Sequence, residues 1–153
     1  MPTLAKAFET ISTAQVSKSA AQAREMMFLR SVDGITMNRD RLLADAKAKA
    51  LAMVQNYAPR AKPSFRLAGE SGRVGVAAVV REFRARGMAT AYDEVVAARL
   101  AVVLTGGDAD QIDTVSEDDL LALERAAFME AVHDERTQAR IKQMLETGKP
   151  LRN

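Results

Sequence analysis

The chain has no cysteine and no tryptophan, and a single histidine among 153 residues. Without cysteine there are no disulfides and no cysteine-ligated metal. That fits a reducing compartment, and a cytoplasmic protein is the expectation. No apolar run approaches the roughly twenty residues of a membrane span. The opening MPTLAKAFETIS lacks the long apolar core of a signal peptide. Charge of one sign is also scarce. Lys and Arg number 22 against 20 Asp and Glu, a formal charge of +2. The pI near 9.1 sounds basic, but two excess charges do not make a nucleic-acid surface. What is present is 48% hydrophobic residues with only 5% aromatic. Runs of alanine then point to helices packed through small and aliphatic side chains.

The length suits one domain spanning 1–153, or a piece of a larger one, with a sub-boundary near 58–72. Leu4, Ala7, Phe8 and Ile11 have helical spacing. Ser17 or Ser19 caps a short helix over Ala20 to Leu29, and Gly34 punctuates a turn. After Asn38, the residues Leu43, Ala46, Ala50, Met53, Val54 and Tyr57 form one apolar stripe, which Pro59 and Pro63 close. A further helix spans about Val74 to Arg86, with Val76, Val79, Val80 and Phe83 inward. Its basic edge, Arg73, Arg81, Arg84 and Arg86, reads as a solvated face. Gly87 ends it. The next helix, from about Thr90 to Leu104, turns Tyr92, Val95, Val96, Leu100, Val103 and Leu104 inward. Leu120, Leu121, Leu123, Ala127, Phe128 and Val132 line another. A last helix near Thr137 to Glu146 buries Ile141, Met144 and Leu145. The expectation is an all-α, irregular bundle of six or seven helices with no alternating strand.

Two stretches invite a ligand and then decline it. Gly69, Gly72 and Gly75 have G-x-x-G-x-x-G spacing, which lacks the tight first turn of a dinucleotide fingerprint. LTGGDADQIDTVSEDDL, Leu104 to Leu120, carries six carboxylates from Asp108 to Asp119. Asp108 and Asp110 begin like a calcium loop. Ile112, Asp113 and Asp119 then occupy the places of an oxygen ligand, the turn glycine and a bidentate Glu. No Lys follows Gly106-Gly107, and the carboxylates would repel a phosphate. The stretch reads as a helix stop, a loop, and a capping box of Ser116 with Asp119.

No catalytic set is legible. His133 sits near a helix end beside Asp134 and Glu135, where a helix dipole stabilises a solvated histidine. Glu124 and Glu130 share a helix but not a face, so they do not hold one water between them.

The C-terminal stretch LLALERAAFMEAVHDERTQARIKQMLETGKPLRN resembles the end of bacterial fusion proteins of fatty-acid β-oxidation. These join a 3-hydroxyacyl-CoA dehydrogenase to a crotonase-type enoyl-CoA hydratase region. LERAAF, TQARI and TGKPLRN carry most of the likeness. KSAAQAREMMFLRSVDGI, NRDRLLADAKAKALAM and YDEVVAARLAVVLTGGD extend it in order over nearly the whole chain. The resemblance implies the C-terminal helical part of the crotonase region, inactive alone. NAD and a CoA thioester belong to the parent enzyme, and no cofactor to this chain. It implies a homo-oligomer, or docking on the remaining domains of the parent, with acyl-CoA as a ligand. Arg140 and Lys149 are the cations it offers for CoA phosphates. Where related proteins place an aromatic and a lysine near CoA, this chain has Met144 and Thr147. No catalytic residue and no metal ligand is implied here. The alternative is a stand-alone helical oligomerisation or protein-interaction module.

Overall fold

A computed structural model describes residues 2–55 and 57–153, of which the description of Pro2 is limited to its backbone. Among them are seven α-helices and one pair of two-residue strands. The all-α expectation holds. The helices are α1 (Pro2–Ser12), α2 (Ala20–Glu25), α3 (Leu42–Val54), α4 (Gly69–Ala85), α5 (Ala91–Thr105), α6 (Glu117–Val132) and α7 (Glu135–Thr147). The chain divides into two compact units. One comprises Met1–Ala14 and Lys62–Asn153, the other Gln15–Ala61.

The larger unit is built on α4 and α5. Gly87, with φ +69°, turns the chain after α4. Thr90 then caps α5: its side chain accepts from the Asp93 amide, and Asp93 accepts from the Thr90 amide at 2.7 Å. Gly106, with φ +84°, ends α5 in the left-handed conformation that glycine adopts without strain. Phe8, Val76, Val80, Ala97 and Ala101 form the core, with Leu4, Leu100 and Leu104 packed against it. The buried face of α5 is therefore Tyr92, Ala97, Ala101 and Thr105, rather than the valines expected from the sequence. Small side chains let α4 approach closely, and Val95, Val96 and Val103 sit at its half-buried flanks. The Thr105 hydroxyl is fully buried and donates to the Ala101 carbonyl at 2.8 Å.

Three further expectations are corrected here. Helix α4 starts at Gly69, not near Val74, so the glycine-rich stretch is helical. Gly69 has φ +55°, and a Cβ there would stand 2.6 Å from the Ala109 carbonyl oxygen, so only glycine fits that first residue. A strand pair exists: β1 (Ser64–Phe65) runs antiparallel to β2 (Val115–Ser116), pairing Phe65 with Val115. It is too short to leave an alternating pattern. The outer helices also turn their large residues outward. Leu121 is 55% exposed, Phe128 61% and Leu145 82%. The capping box on α6 is present as expected, with Ser116 and Asp119 exchanging both bonds.

The smaller unit is held by polar contacts. Ser19 caps α2 by accepting from the Gln22 amide, and α2 ends at Glu25, before the Leu29 that was expected, with Met27 at φ +62° just beyond it. Asp33 accepts from the Arg30 amide at 2.8 Å, and its carbonyl accepts from Arg24 at 2.9 Å. The hydrogen bond from Arg30 is the main reason the Asp33 carboxyl lies below its ordinary pKa. Asn38 caps a 3-10 turn that leads into α3, and Asp45 accepts from Thr36. Among the described residues of this unit, only Ala23 is buried. The expected stripe on α3 exists in sequence, but no residue of α3 is buried.

Candidate functional site

The start of α5 and the last helix build the densest polar cluster. Tyr92 is the second residue of α5, and only 1% of it is exposed. Arg136 and Arg140, one turn apart on α7, place their guanidinium carbons 4.1 and 4.8 Å from its ring centroid. Cations over an aromatic face are attracted by its quadrupole. The Tyr92 and Thr137 hydroxyls are 2.5 Å apart. Asp134 caps α7 and grips Arg136 at 2.7 Å. The hydrogen bond from Arg136 is the main cause that pulls the Asp134 carboxyl down to a pKa of about 2.

Arg140, one of the two candidate phosphate ligands, is engaged on every nitrogen. Nη1 pairs with Asp93 at 2.8 Å. Nε donates to the Asn153 side chain at 2.7 Å, and Nη2 to Thr90 at 3.4 Å. Burial works against the charged Asp93 carboxylate, but hydrogen bonds from Thr90 and Arg140 outweigh it and hold its pKa below the usual value. The C-terminal residues close the cluster. Asn153 donates to the Arg136 carbonyl, and Arg152 donates to the carbonyls of Gly87 and Met88. The cluster fastens α7 and the tail to the α4–α5 turn.

Lys149 differs. It lies past Gly148, which ends α7 in the left-handed conformation, and it is exposed. Its amide donates to Thr147, and its ammonium has no ion pair among the described residues. Arg140 and Lys149 share no partner.

Several open clefts lie elsewhere in the larger unit, and two of them combine an apolar wall with a charged rim. The first, about 380 Å³, runs between α4 and α5. Its floor is Val76, Val80, Ala97 and Ala101, and Arg73, Arg81 and Glu94 stand on its rim. The expected basic edge of α4 is largely paired: Arg73 donates to the Gly107 carbonyl and meets Asp108, while Arg84 pairs with Glu94 and Arg86 with Glu82. The second cleft, about 700 Å³, lies beside α6. Val115, Ala122, Leu123 and Ala126 give it an apolar wall, and Asp108, Asp113 and Asp119 give it an acidic rim. Neither cleft holds an acid–base pair or a nucleophile beside a base. His133 hydrogen-bonds through Nδ1 to the Met129 carbonyl at the end of α6, away from both. Glu130 faces Arg99 at 3.6 Å. Among the described residues no cluster of three metal-ligating side chains occurs.

The sequence reading singled out Arg140 but not Tyr92, Asp93, Arg136 or Asn153 as its companions. Of these, Asn153 ends the TGKPLRN stretch, and Tyr92 and Asp93 begin YDEVVAARLAVVLTGGD, but only folding brings Tyr92 to Thr137. Over 149 residues, 97% of its length, the chain is 38% identical to a Bacillus subtilis (strain 168) protein named "Probable 3-hydroxyacyl-CoA dehydrogenase". The match covers 19% of that protein, so the chain spans about a fifth of the length of this curated relative. No protein-family model matches the chain, and no solved structure does.

Proposed function

We propose that the chain is a non-catalytic helical portion of a longer fatty-acid β-oxidation protein, a 3-hydroxyacyl-CoA dehydrogenase fused to a crotonase-type enoyl-CoA hydratase. The observation that carries this reading is the likeness to one fifth of the Bacillus subtilis relative across 97% of this chain. In this reading NAD and the CoA thioester bind the remainder of the parent, and Arg140 braces the fold. Lys149 is the cation left exposed for a CoA phosphate.

The test is a replacement. The matching fifth of the Bacillus subtilis relative is exchanged for this chain, and NADH-dependent reduction of acetoacetyl-CoA is followed. The replaced protein should keep the activity that deletion of the fifth abolishes. A folded, soluble replacement without activity, where the parent has it, would overturn the reading. The purified chain should turn over neither crotonyl-CoA nor acetoacetyl-CoA. Turnover that a substitution within the chain removes would overturn the claim that it is inactive alone. A second reading, a helical self-association module, is favoured by one observation: α3 has no buried residue.

A further inference from the structure

The two units differ in what holds each of them together. Every side chain of the core built around Phe8, Val76, Val80, Ala97 and Ala101 belongs to the larger unit. Among the described residues of Gln15–Ala61, Ala23 alone is buried. Phe28, Val32, Met37, Leu43 and Leu51 are each more than half exposed. Any surface laid against the smaller unit lowers such exposures and never raises them. Taken by itself, therefore, the unit has no more interior than one alanine. Burial of apolar area is the main favourable contribution to folding, and it has to offset the entropy of ordering the chain. The larger unit has that contribution from its own residues and the smaller does not.

Local structure does not make up the difference. Helix α2 has 6 residues and α3 has 13, and isolated helices below about 12–15 residues are marginal in water. No side chain caps the start of α3. The polar ties are Arg24 to the Asp33 carbonyl, Arg30 to Asp33, Thr36 to Asp45 and Arg41 to Asp45. Each spans nine residues or fewer, and exposed ion pairs contribute little. The flanks are fastened differently. Upstream, Phe8 is buried in the core of the larger unit. Downstream, Lys62 pairs with Asp118 at 2.5 Å, and Phe65 pairs with Val115 in the strand ladder. Releasing the segment between them frees neither α1 nor β1, and the entropy of closing a loop grows only slowly with its length. At the upstream junction Ala14 holds φ +51°, a left-handed conformation that is unfavourable for alanine.

We propose that Gln15–Ala61 is an order–disorder segment, which opens and closes as one unit while the larger unit stays folded. Helices α2 and α3 open together, because Asp33 ties the end of α2 to the connection between them and Asp45 ties that connection to α3. Opening also relaxes Ala14 at the junction. A segment of this kind gains full order only when contacts outside itself supply the burial it lacks. This behaviour follows from the unequal interiors of the two units and does not rest on the proposed function.

Native-state hydrogen exchange, followed by mass spectrometry on the full 153-residue chain, tests it. Amides of α2 and α3 should be at least about 100-fold less protected than those of α4 and α5. Low urea should speed exchange steeply in α4 and α5 and only weakly in α2 and α3, because opening the smaller unit exposes less surface than unfolding the whole chain. Val80→Ala, which removes core methyl groups, should speed exchange in α4 and α5 at least about tenfold and leave α2 and α3 unchanged. Equal protection in the two units overturns the proposal, as does one shared urea dependence. So does a Val80→Ala variant that speeds all four helices alike. The urea series on the unaltered chain decides the matter if that variant fails to fold. None of these readouts depends on activity, so the proposal and the functional reading can fail separately.

Discussion

Gly72 and Gly75 lie three residues apart in α4, and the same substitution should have opposite effects at the two. Replacing glycine by alanine inside a helix contributes about 1 kcal/mol, because glycine loses more backbone freedom on folding. At Gly75 a Cβ would meet nothing within 4 Å, so Gly75→Ala should show most of that gain. At Gly72 the new Cβ would stand 2.7 Å from the Ala68 Cβ, 2.9 Å from the Thr105 Cγ2 and 3.0 Å from the Leu4 Cδ2. Leu4 can change rotamer. Thr105 is fully buried and fixed by its bond to the Ala101 carbonyl, and an alanine Cβ has no rotamer to change. Helix α4 must then move away from α5 and α1. Overpacking of this kind costs roughly 1–3 kcal/mol. After the propensity gain, Gly72→Ala should lose roughly 0–2 kcal/mol, centred on about 1. The two variants should therefore differ by about 2 kcal/mol, roughly 4–8 °C in melting temperature for a chain of this size. Thermal and urea unfolding followed by far-ultraviolet circular dichroism measures both. If Gly72→Ala raises the midpoint as much as Gly75→Ala, the close α1–α4–α5 packing described above is wrong.

The remaining expectations concern the cluster at α7 and the acidic loop. Tyr92→Phe removes the hydroxyl that meets Thr137 and should lower stability by about 1 kcal/mol in urea unfolding. Arg140→Ala should cost about 2 kcal/mol through its lost bonds to Asp93 and Asn153, while Lys149→Ala should change stability by less than about 0.5 kcal/mol. An equal effect at the two positions would contradict the bracing role given to Arg140. The Asp134 pKa is depressed to about 2 from its ordinary 3.8, so its contribution is present above pH 3.8 and lost as the pH falls toward 2. The urea midpoint should drop through that window, and less steeply in Asp134→Asn. Calorimetry should detect no micromolar calcium site in the acidic loop. A site that Asp108→Ala abolishes would mean that Ile112 and Asp113 were misjudged.

The sequence by itself determined the helical class, the capping box at Ser116 and Asp119, and the punctuation at Gly87. Each is a local signal, set by backbone freedom or by side chains within three residues of the amide they satisfy. It also marked α3 as apolar, but not that none of its residues is buried, because periodicity tells which residues need cover and not what supplies it. Tertiary structure decided which face of α5 is buried. Val95, Val96 and Val103 look more hydrophobic than Ala97 and Ala101, yet the alanines face α4, where close approach of the backbones favours small side chains. It decided that Gly69 and Gly72 belong inside α4, since their reason lies in Ala109, Thr105 and Leu4, which are distant in sequence. It also gathered Tyr92, Asp93, Arg136, Arg140 and Asn153 into one cluster across some sixty residues of chain. No local pattern encodes such a meeting, because it exists only when α7 and the tail fold back onto the start of α5.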